Sequence, residues 1–149
     1  MAKTVITRSI DAPVEVVFKT VSDIKHFSEA IPGIVNIEIL SDTQTGVGTR
    51  FRETRVMNGK EASTELEVTE YVENERVRLV ADSHGTVWDT VFTVKPAGDS
   101  TELTMVMDAR PYKLAAKLMN PMVKGMIQKA IESDMDAVKK YCEELKADK

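Results

Sequence analysis

Residues 49–67, TRFRETRVMNGKEASTELE, carry charged side chains whose direction decides what chemistry the protein could perform. Phe51, Glu53 and Arg55 occur at every second position, so on an extended strand all three side chains share one face. A carboxylate pointing inward beside aromatic and methionine side chains could bind a ligand hydroxyl or act as a general base. The alternative is that Glu53 pairs with Arg55 at a cavity rim and serves only solubility. Arg55 lies nearer the turn and is long enough to reach solvent.

The dipeptide Asn58-Gly59 fixes the register around these residues. Asn-Gly between two strands is typical of a type I′ hairpin turn, which needs positive φ at both central positions. The predicted pairs are Phe51 with Leu66 and Glu53 with Thr64 on one face, and Arg52 with Glu65 and Arg50 with Glu67 on the other. The second face joins opposite charges, as expected of a solvated surface. Glu53 is therefore predicted to lie on the inner face.

A second two-residue turn at His84-Gly85 extends this register across further strands. The predicted rows of the inner face are Phe51, Leu66, Ala81, Trp88 and Met107; then Thr49, Val68, Leu79, Thr90 and Met105; and, nearest the turns, Glu53, Thr64, Ser83, Thr86 and Ala109. The last row is polar and made mostly of small side chains. An apolar floor with one polar end resembles a ligand pocket more than a sealed core.

The spacing of hydrophobic residues along the rest of the chain predicts an α+β fold. The predicted order is a strand at Thr4–Ile10, a helix from Pro13, a short helix capped by Ser22 or Asp23, six antiparallel strands between Val35 and Arg110, and a long helix from Asn120-Pro121 to about Leu145. Polar residues occupy much of the outer side of the last helix. The length of 149 residues and the absence of a linker indicate one domain spanning 1–149.

Composition excludes several classes of function. A net charge of −4 without a clustered basic stripe argues against nucleic acid as a partner. His26 and His84 are far apart and no Cys/His cluster has ligand spacing, so we expect neither a metal nor another cofactor. No segment is apolar enough to span a membrane or to serve as a signal peptide. Cys142 is the single cysteine, which fits a reducing cytoplasm.

Three stretches carry a family resemblance: IDAPVEVVFKTVSDIKHFSEAIPGI, GVGTRFRETRVMNGKEA and DSHGTVWDTVFTV. The chain resembles the START/Bet v 1-like (SRPBCC) superfamily over its whole length, and its first stretch is similar to polyketide cyclase/dehydrase-like and coenzyme Q-binding proteins. The resemblance implies a helix-grip fold of order β-α-α-β6-α, in which a curved seven-stranded antiparallel sheet wraps a long C-terminal helix and encloses a cavity. This scaffold hosts several unrelated functions, so it specifies the fold better than the activity.

The first functional hypothesis is that the protein binds or carries a small hydrophobic molecule, such as a lipid, a quinone or a polyketide-like ring system. The expected ligand-binding residues are Phe51, Glu53, Arg55, Thr64, Leu66, Leu79, Ser83, Trp88, Phe92, Met105, Met107, Met122 and Met126. The second hypothesis is a cyclase or dehydratase in which Glu53 is the general base and Arg55 or His84 steadies an oxyanion. The third is a co-chaperone-like interaction domain that uses the outer face of the sheet.

Overall fold

The computed structural model describes residues 2–57, 59–83, 85–117 and 121–147. The strands are β1 (Ala2–Ile10), β2 (Ile34–Ile39), β3 (Arg50–Met57), β4 (Lys60–Val72), β5 (Arg76–Ser83), β6 (Thr86–Ala97) and β7 (Ser100–Pro111). The helices are α1 (Val14–Ser22), α2 (Ile24–Ala30), α3 (Leu114–Lys117) and α4 (Pro121–Ala147). The observed order confirms the predicted helix-grip arrangement, and α4 begins at Pro121, where the long C-terminal helix was predicted to start.

All seven strands form one antiparallel sheet in the order β1-β7-β6-β5-β4-β3-β2. Irregular pairings between Ile34 and Asn36 on β2 and between Val68 and Glu70 on β4 interrupt the ladders. Such bulges bend a strand and increase its local twist, which helps a sheet to curve around a helix. The concave face of the curved sheet is turned toward α4.

The two tight hairpins have the register predicted from the sequence. Phe51 lies opposite Leu66 and Arg52 opposite Glu65 across the β3–β4 turn. Ala81 lies opposite Trp88 across the β5–β6 turn. These pairings place Glu53 on the concave face, where it is only 8% exposed.

The predicted pairing of β6 with β7 is wrong by two residues. Trp88 lies opposite Ala109 rather than Met107, and Thr90 lies opposite Met107. The reason is the position of the turn, because Ala97 pairs with Ser100 and Gly98, at φ 66°, begins a two-residue loop. A shift of two keeps every side chain on its predicted face, since the side chains of a strand alternate with a period of two.

The helices close the concave side of the sheet. The Asp23 side chain accepts a hydrogen bond from the backbone N–H of Lys25 at 3.0 Å and so caps α2, as predicted. Four residues on one side of α4 are buried in the main hydrophobic core: Ile131, Met135, Val138 and Cys142. None of the described helices is long and apolar enough to cross a membrane.

Candidate functional site

A cavity of about 520 Å³ lies between the concave face of the sheet, α2 and the middle of α4. Its wall includes eleven of the residues predicted to bind a ligand: Phe51, Glu53, Arg55, Thr64, Leu66, Leu79, Ser83, Trp88, Phe92, Met105 and Met107. Alternation along the strands explains the grouping, because every second residue of β3 to β7 faces the same side. The sheet thus forms a largely apolar wall.

One end of the cavity carries a group of three charged side chains, here called the charged cluster: Glu53, Arg55 and Asp134. Arg55 donates from Nη2 to Glu53 Oε1 at 3.1 Å and from Nη1 to Asp134 Oδ2 at 2.8 Å. Glu53 and Arg55 come from β3, whereas Asp134 comes from α4. The cluster therefore joins the sheet to the helix at the cavity wall.

Burial and neighbouring charges shift the pKa values of Arg55 and Asp134 in opposite directions. Burial alone would lower the pKa of Arg55, but the charges and hydrogen bonds of Glu53 and Asp134 raise it overall. Burial raises the pKa of Asp134, and the positive charge and hydrogen bond of Arg55 limit that rise. Arg55 therefore stays protonated, and with both acids ionised the cluster carries a net charge of −1.

Hydroxyl groups add further polar positions to the cavity wall. Thr64, Ser83, Thr86 and Thr90 line the cavity on three neighbouring strands, and within the described parts of the chain none of their hydroxyls makes a hydrogen bond to another protein group. A hydroxyl can donate one hydrogen bond and accept others. These hydroxyls can therefore hydrogen-bond to a ligand. The side chains of the charged cluster are less available, because they already pair with one another.

The structure corrects two expectations about side chains in this region. Arg55 is not directed out to solvent, because its guanidinium is held between two carboxylates. Met126 is 47% exposed, and α4 instead presents Ile127, Ala130 and Ile131 to the cavity. A helix turns by about 100° per residue, which places Met126 outside the face formed by Ile127, Ala130 and Ile131. His84 and the side chain of Met122 lie outside the described residues.

Asp134 is the site residue that the sequence reasoning missed. It continues the series Ile127, Ile131 and Val138 at helical spacing, of which the first two line the cavity and Val138 lies in the core, so a carboxylate occupies a position otherwise filled by apolar side chains. That interruption was visible in the sequence. The missing information was its partner, since Arg55 is 79 residues away along the chain.

Other missed wall residues also come from outside the meander: Val21, Ser22, Ile24 and Phe27 from the first two helices and Gln44 from the β2–β3 loop. Phe27 also packs against Phe92, with ring centroids 6.0 Å apart. The sequence placed Val21, Ile24 and Phe27 on helices, and only the tertiary arrangement shows that they border a cavity. Strand pairing, helix order and a cavity between the sheet and α4 together define a START/Bet v 1-like helix-grip protein.

Comparison with known proteins identifies the family. Residues 1–143 match the family described as polyketide cyclase/dehydrase and lipid transport, and the chain belongs to that family. None of the curated proteins compared with the sequence matches it.

Solved structures share the fold at low sequence identity. A START superfamily protein from Mycobacterium smegmatis is 23% identical, with a TM-score of 0.79 over 96% of this chain and 98% of that one. The protein TTHA0849 from Thermus thermophilus is 19% identical, with a TM-score of 0.78 over 95% and 97% of the two chains. BexL, a di-domain ARO/CYC protein from the BE-7585A biosynthetic pathway, is 14% identical, with a TM-score of 0.77 over 95% of this chain and 46% of that one.

Proposed function

We propose that the protein binds or carries a small, largely apolar molecule of the lipid, quinone or polyketide-like kind in this cavity. The observation that carries the proposal is the cavity itself, about 520 Å³ with a mostly apolar wall and one polar end. Ligand pockets of proteins are commonly about 300–1,000 Å³ and combine an apolar wall with a few placed polar groups. The family description, which includes lipid transport, supports the same conclusion.

The polar end defines how such a ligand would be oriented. The apolar body would lie against Phe51, Leu79, Trp88 and Met107, and the polar head would face the charged cluster and the hydroxyls beside it. A head that donates hydrogen bonds suits the carboxylates, whereas an anionic head would meet a net negative charge. The proposal places the carrier in the cytosol, where a single buried thiol such as Cys142 stays reduced.

The proposal is tested by identifying any molecule that remains bound when the protein is purified from its own host. Native mass spectrometry of the purified protein should show a bound apolar molecule, and organic extraction should release it. Trp88 is the single tryptophan and lines the cavity, so its emission should change when an apolar probe binds. No bound mass, together with unchanged Trp88 emission across a panel of apolar probes, would contradict the proposal and favour an interaction through the outer face.

A cyclase or dehydratase activity is the second candidate, favoured by the position of Glu53 at the polar end of the cavity and by the family description. Here Glu53 would remove a proton alpha to a ligand carbonyl, and Arg55 would hold that carboxylate in place. Glu53→Gln should spare ligand binding and reduce turnover by about 10²–10⁴-fold if Glu53 is a general base. If the protein only carries its ligand, the same change should alter affinity by about 1–3 kcal/mol at most.

A further inference from the structure

We propose that one group of exposed side chains, here called the basic surface, docks the protein on a bilayer that contains anionic lipid. The basic surface consists of Tyr112, Lys113, Leu114, Lys117, Lys124, Met126 and Lys129. It borders the cavity, so docking would bring an apolar ligand of the bilayer close to it. Only this delivery step rests on the proposed function.

Charge is the first observation that supports docking. Between positions 109 and 131 the sequence has five Lys and Arg and no Asp or Glu, although the whole chain has 24 acidic and 20 basic residues. Arg110 forms ion pairs with Asp89 and Asp108, so its charge is already compensated. The four lysines of the basic surface (113, 117, 124 and 129) are exposed, and within the described residues none lies in an ion pair.

Exposed apolar side chains lie among these lysines. Leu114 is 73% exposed, Tyr112 50% and Met126 47%. Lys117 follows Leu114 by three residues on α3, and Lys129 follows Met126 by three on α4, so each helix pairs an apolar side chain with a cation. Lysines beside exposed apolar side chains are typical of segments that lie in the interface of an anionic membrane.

Backbone contacts fix the basic surface beside the cavity. The N–H groups of Tyr112 and Lys113 donate to the Gly85 carbonyl at 2.9 and 3.2 Å. The approach is close, because a Cβ on Gly85 would lie 2.7 Å from the Lys113 Cβ. Ser83 and Thr86, which flank this turn along the chain, both line the cavity.

The second half of the basic surface is tied to the cavity through α4, because Ile127 and Ala130 line the cavity. Three residues separate Lys117 from Pro121, so the end of α3 lies within about 14 Å of the start of α4. Among the described residues of the basic surface, Tyr112 donates a hydrogen bond from its hydroxyl to the Asp82 carboxylate at 2.6 Å. The four exposed lysines outnumber this hydrogen-bonded carboxylate.

The test is co-sedimentation of the full-length protein with vesicles of phosphatidylcholine alone or mixed with phosphatidylglycerol. We expect binding to the mixed vesicles only, and loss of that binding at high salt. Replacing Lys113, Lys117 and Lys129 together by Gln should weaken binding by about fivefold per lysine, more than a hundredfold in all. Leu114→Ser with Met126→Ser should weaken it further.

The matched control replaces Lys19, Lys25 and Lys95 by Gln, three exposed lysines on other elements that give the same change in net charge. Equal loss in both triple variants, or no binding of the wild type to mixed vesicles, would overturn the proposal. A change in the sedimentation of vesicle-free protein in the first variant would instead assign the surface to a second copy. Vesicle binding without any binding of apolar probes in solution would refute the proposed carrier function and leave docking intact.

Discussion

Arg55 on β3 and Asp134 on α4 are joined by an Nη1–Oδ2 hydrogen bond of 2.8 Å beside the cavity. The same guanidinium also holds Glu53, so one cation neutralises charge on two partly buried acids. Removal of a single member of such a group leaves an uncompensated charge, which costs far more than the intact group contributes. The stability of the protein should therefore depend strongly on Arg55.

Arg55→Met should lower the free energy of unfolding by about 3 kcal/mol at neutral pH, because Glu53 and Asp134 would lose their shared cation. Urea unfolding measures the change. The control is Arg52→Met on the other face of the same strand, where Arg52 pairs with the exposed Glu38 at 2.6 Å. That exposed pair should contribute no more than about 1 kcal/mol. Equal losses in the two variants would mean that the charged cluster is simply hydrated.

Adding Glu53→Gln and Asp134→Asn to Arg55→Met should recover much of the lost stability. The triple variant contains no unpaired charge at the site. Failure to recover would indicate that the packing of the Arg55 side chain, rather than its charge, stabilises the wall.

A larger side chain at position 81 should fill space instead of straining the fold. Ala81 is buried and lines the cavity, so Ala81→Leu should change the unfolding free energy by less than about 1 kcal/mol and weaken the binding of apolar probes. Ala12, in the close-packed core, is the matched control, and Ala12→Leu should cost about 1–3 kcal/mol. If Ala81→Leu proves as destabilising as Ala12→Leu, the space beside Ala81 is not available to a ligand.

The net charge of the cluster predicts a preference between ligand heads. An alkyl alcohol should bind at least tenfold more tightly at about pH 8 than the carboxylate of the same chain length, because one extra negative charge at the cluster costs about 2 kcal/mol at this depth. Competition against an apolar fluorescent probe measures both affinities. Asp134→Asn makes the cluster neutral and should narrow the difference. Equal affinities of the wild type for the alcohol and the carboxylate would show that ligand heads do not face the cluster.

Asp89 on the convex face predicts a stability change with pH. Bidentate hydrogen bonds from Arg78, at 2.8 and 2.6 Å, together with the charge of Arg110, hold the pKa of Asp89 below its ordinary 3.8 despite its burial. A carboxyl with a lowered pKa contributes stability that is present above the unfolded-state value and is lost as the pH falls through the folded-state value. Asp89→Asn should therefore cost about 2–3 kcal/mol at pH 7.

The penalty of Asp89→Asn should shrink progressively once the pH falls below about 4, where the wild-type carboxylate begins to lose its own contribution. Urea unfolding at a series of pH values gives the curve. Asp42→Asn, at an exposed loop position, should show little effect at any pH. A penalty for Asp89→Asn that stays constant down to about pH 2 would contradict the assigned role of the Arg78 pair.

Sequence reasoning succeeded where local chemistry fixes geometry. The turns at residues 58–59 and 84–85 need residues that tolerate positive φ, and each such turn sets the register of two strands. The β6–β7 turn was misplaced because Pro96 and Gly98 both signal a turn without specifying its centre. An error of two residues leaves each side chain on the face of the sheet that was predicted for it, so the predicted cavity wall remained largely right.

Predictions failed where contacts depend on elements distant in the chain. The inward position of Glu53 followed from hairpin register, but the direction of Arg55 was decided by Asp134, which lies on another element. Met126 was assigned to the cavity because it falls near the apolar stripe of α4, and a rotation of one residue decides between Met126 and Ile127. Helix rotation is set by packing against the sheet, which a one-dimensional pattern does not contain.

The pairing of the first strand with the last has a consequence for the order in which the protein folds during its synthesis. Ala2 lies opposite Ala109 and Ile10 opposite Thr101, so β1 has no partner in the sheet until about a hundred residues have been made. At about 5–20 residues per second, an emerging chain would wait roughly 5–20 s for that partner. During this interval β3 to β6 can already pair as local hairpins, while β1 presents unpaired backbone groups to its surroundings. Sheet closure at β1–β7 should therefore be a late step, and it is the stage at which a nascent chain depends most on being kept apart from its neighbours.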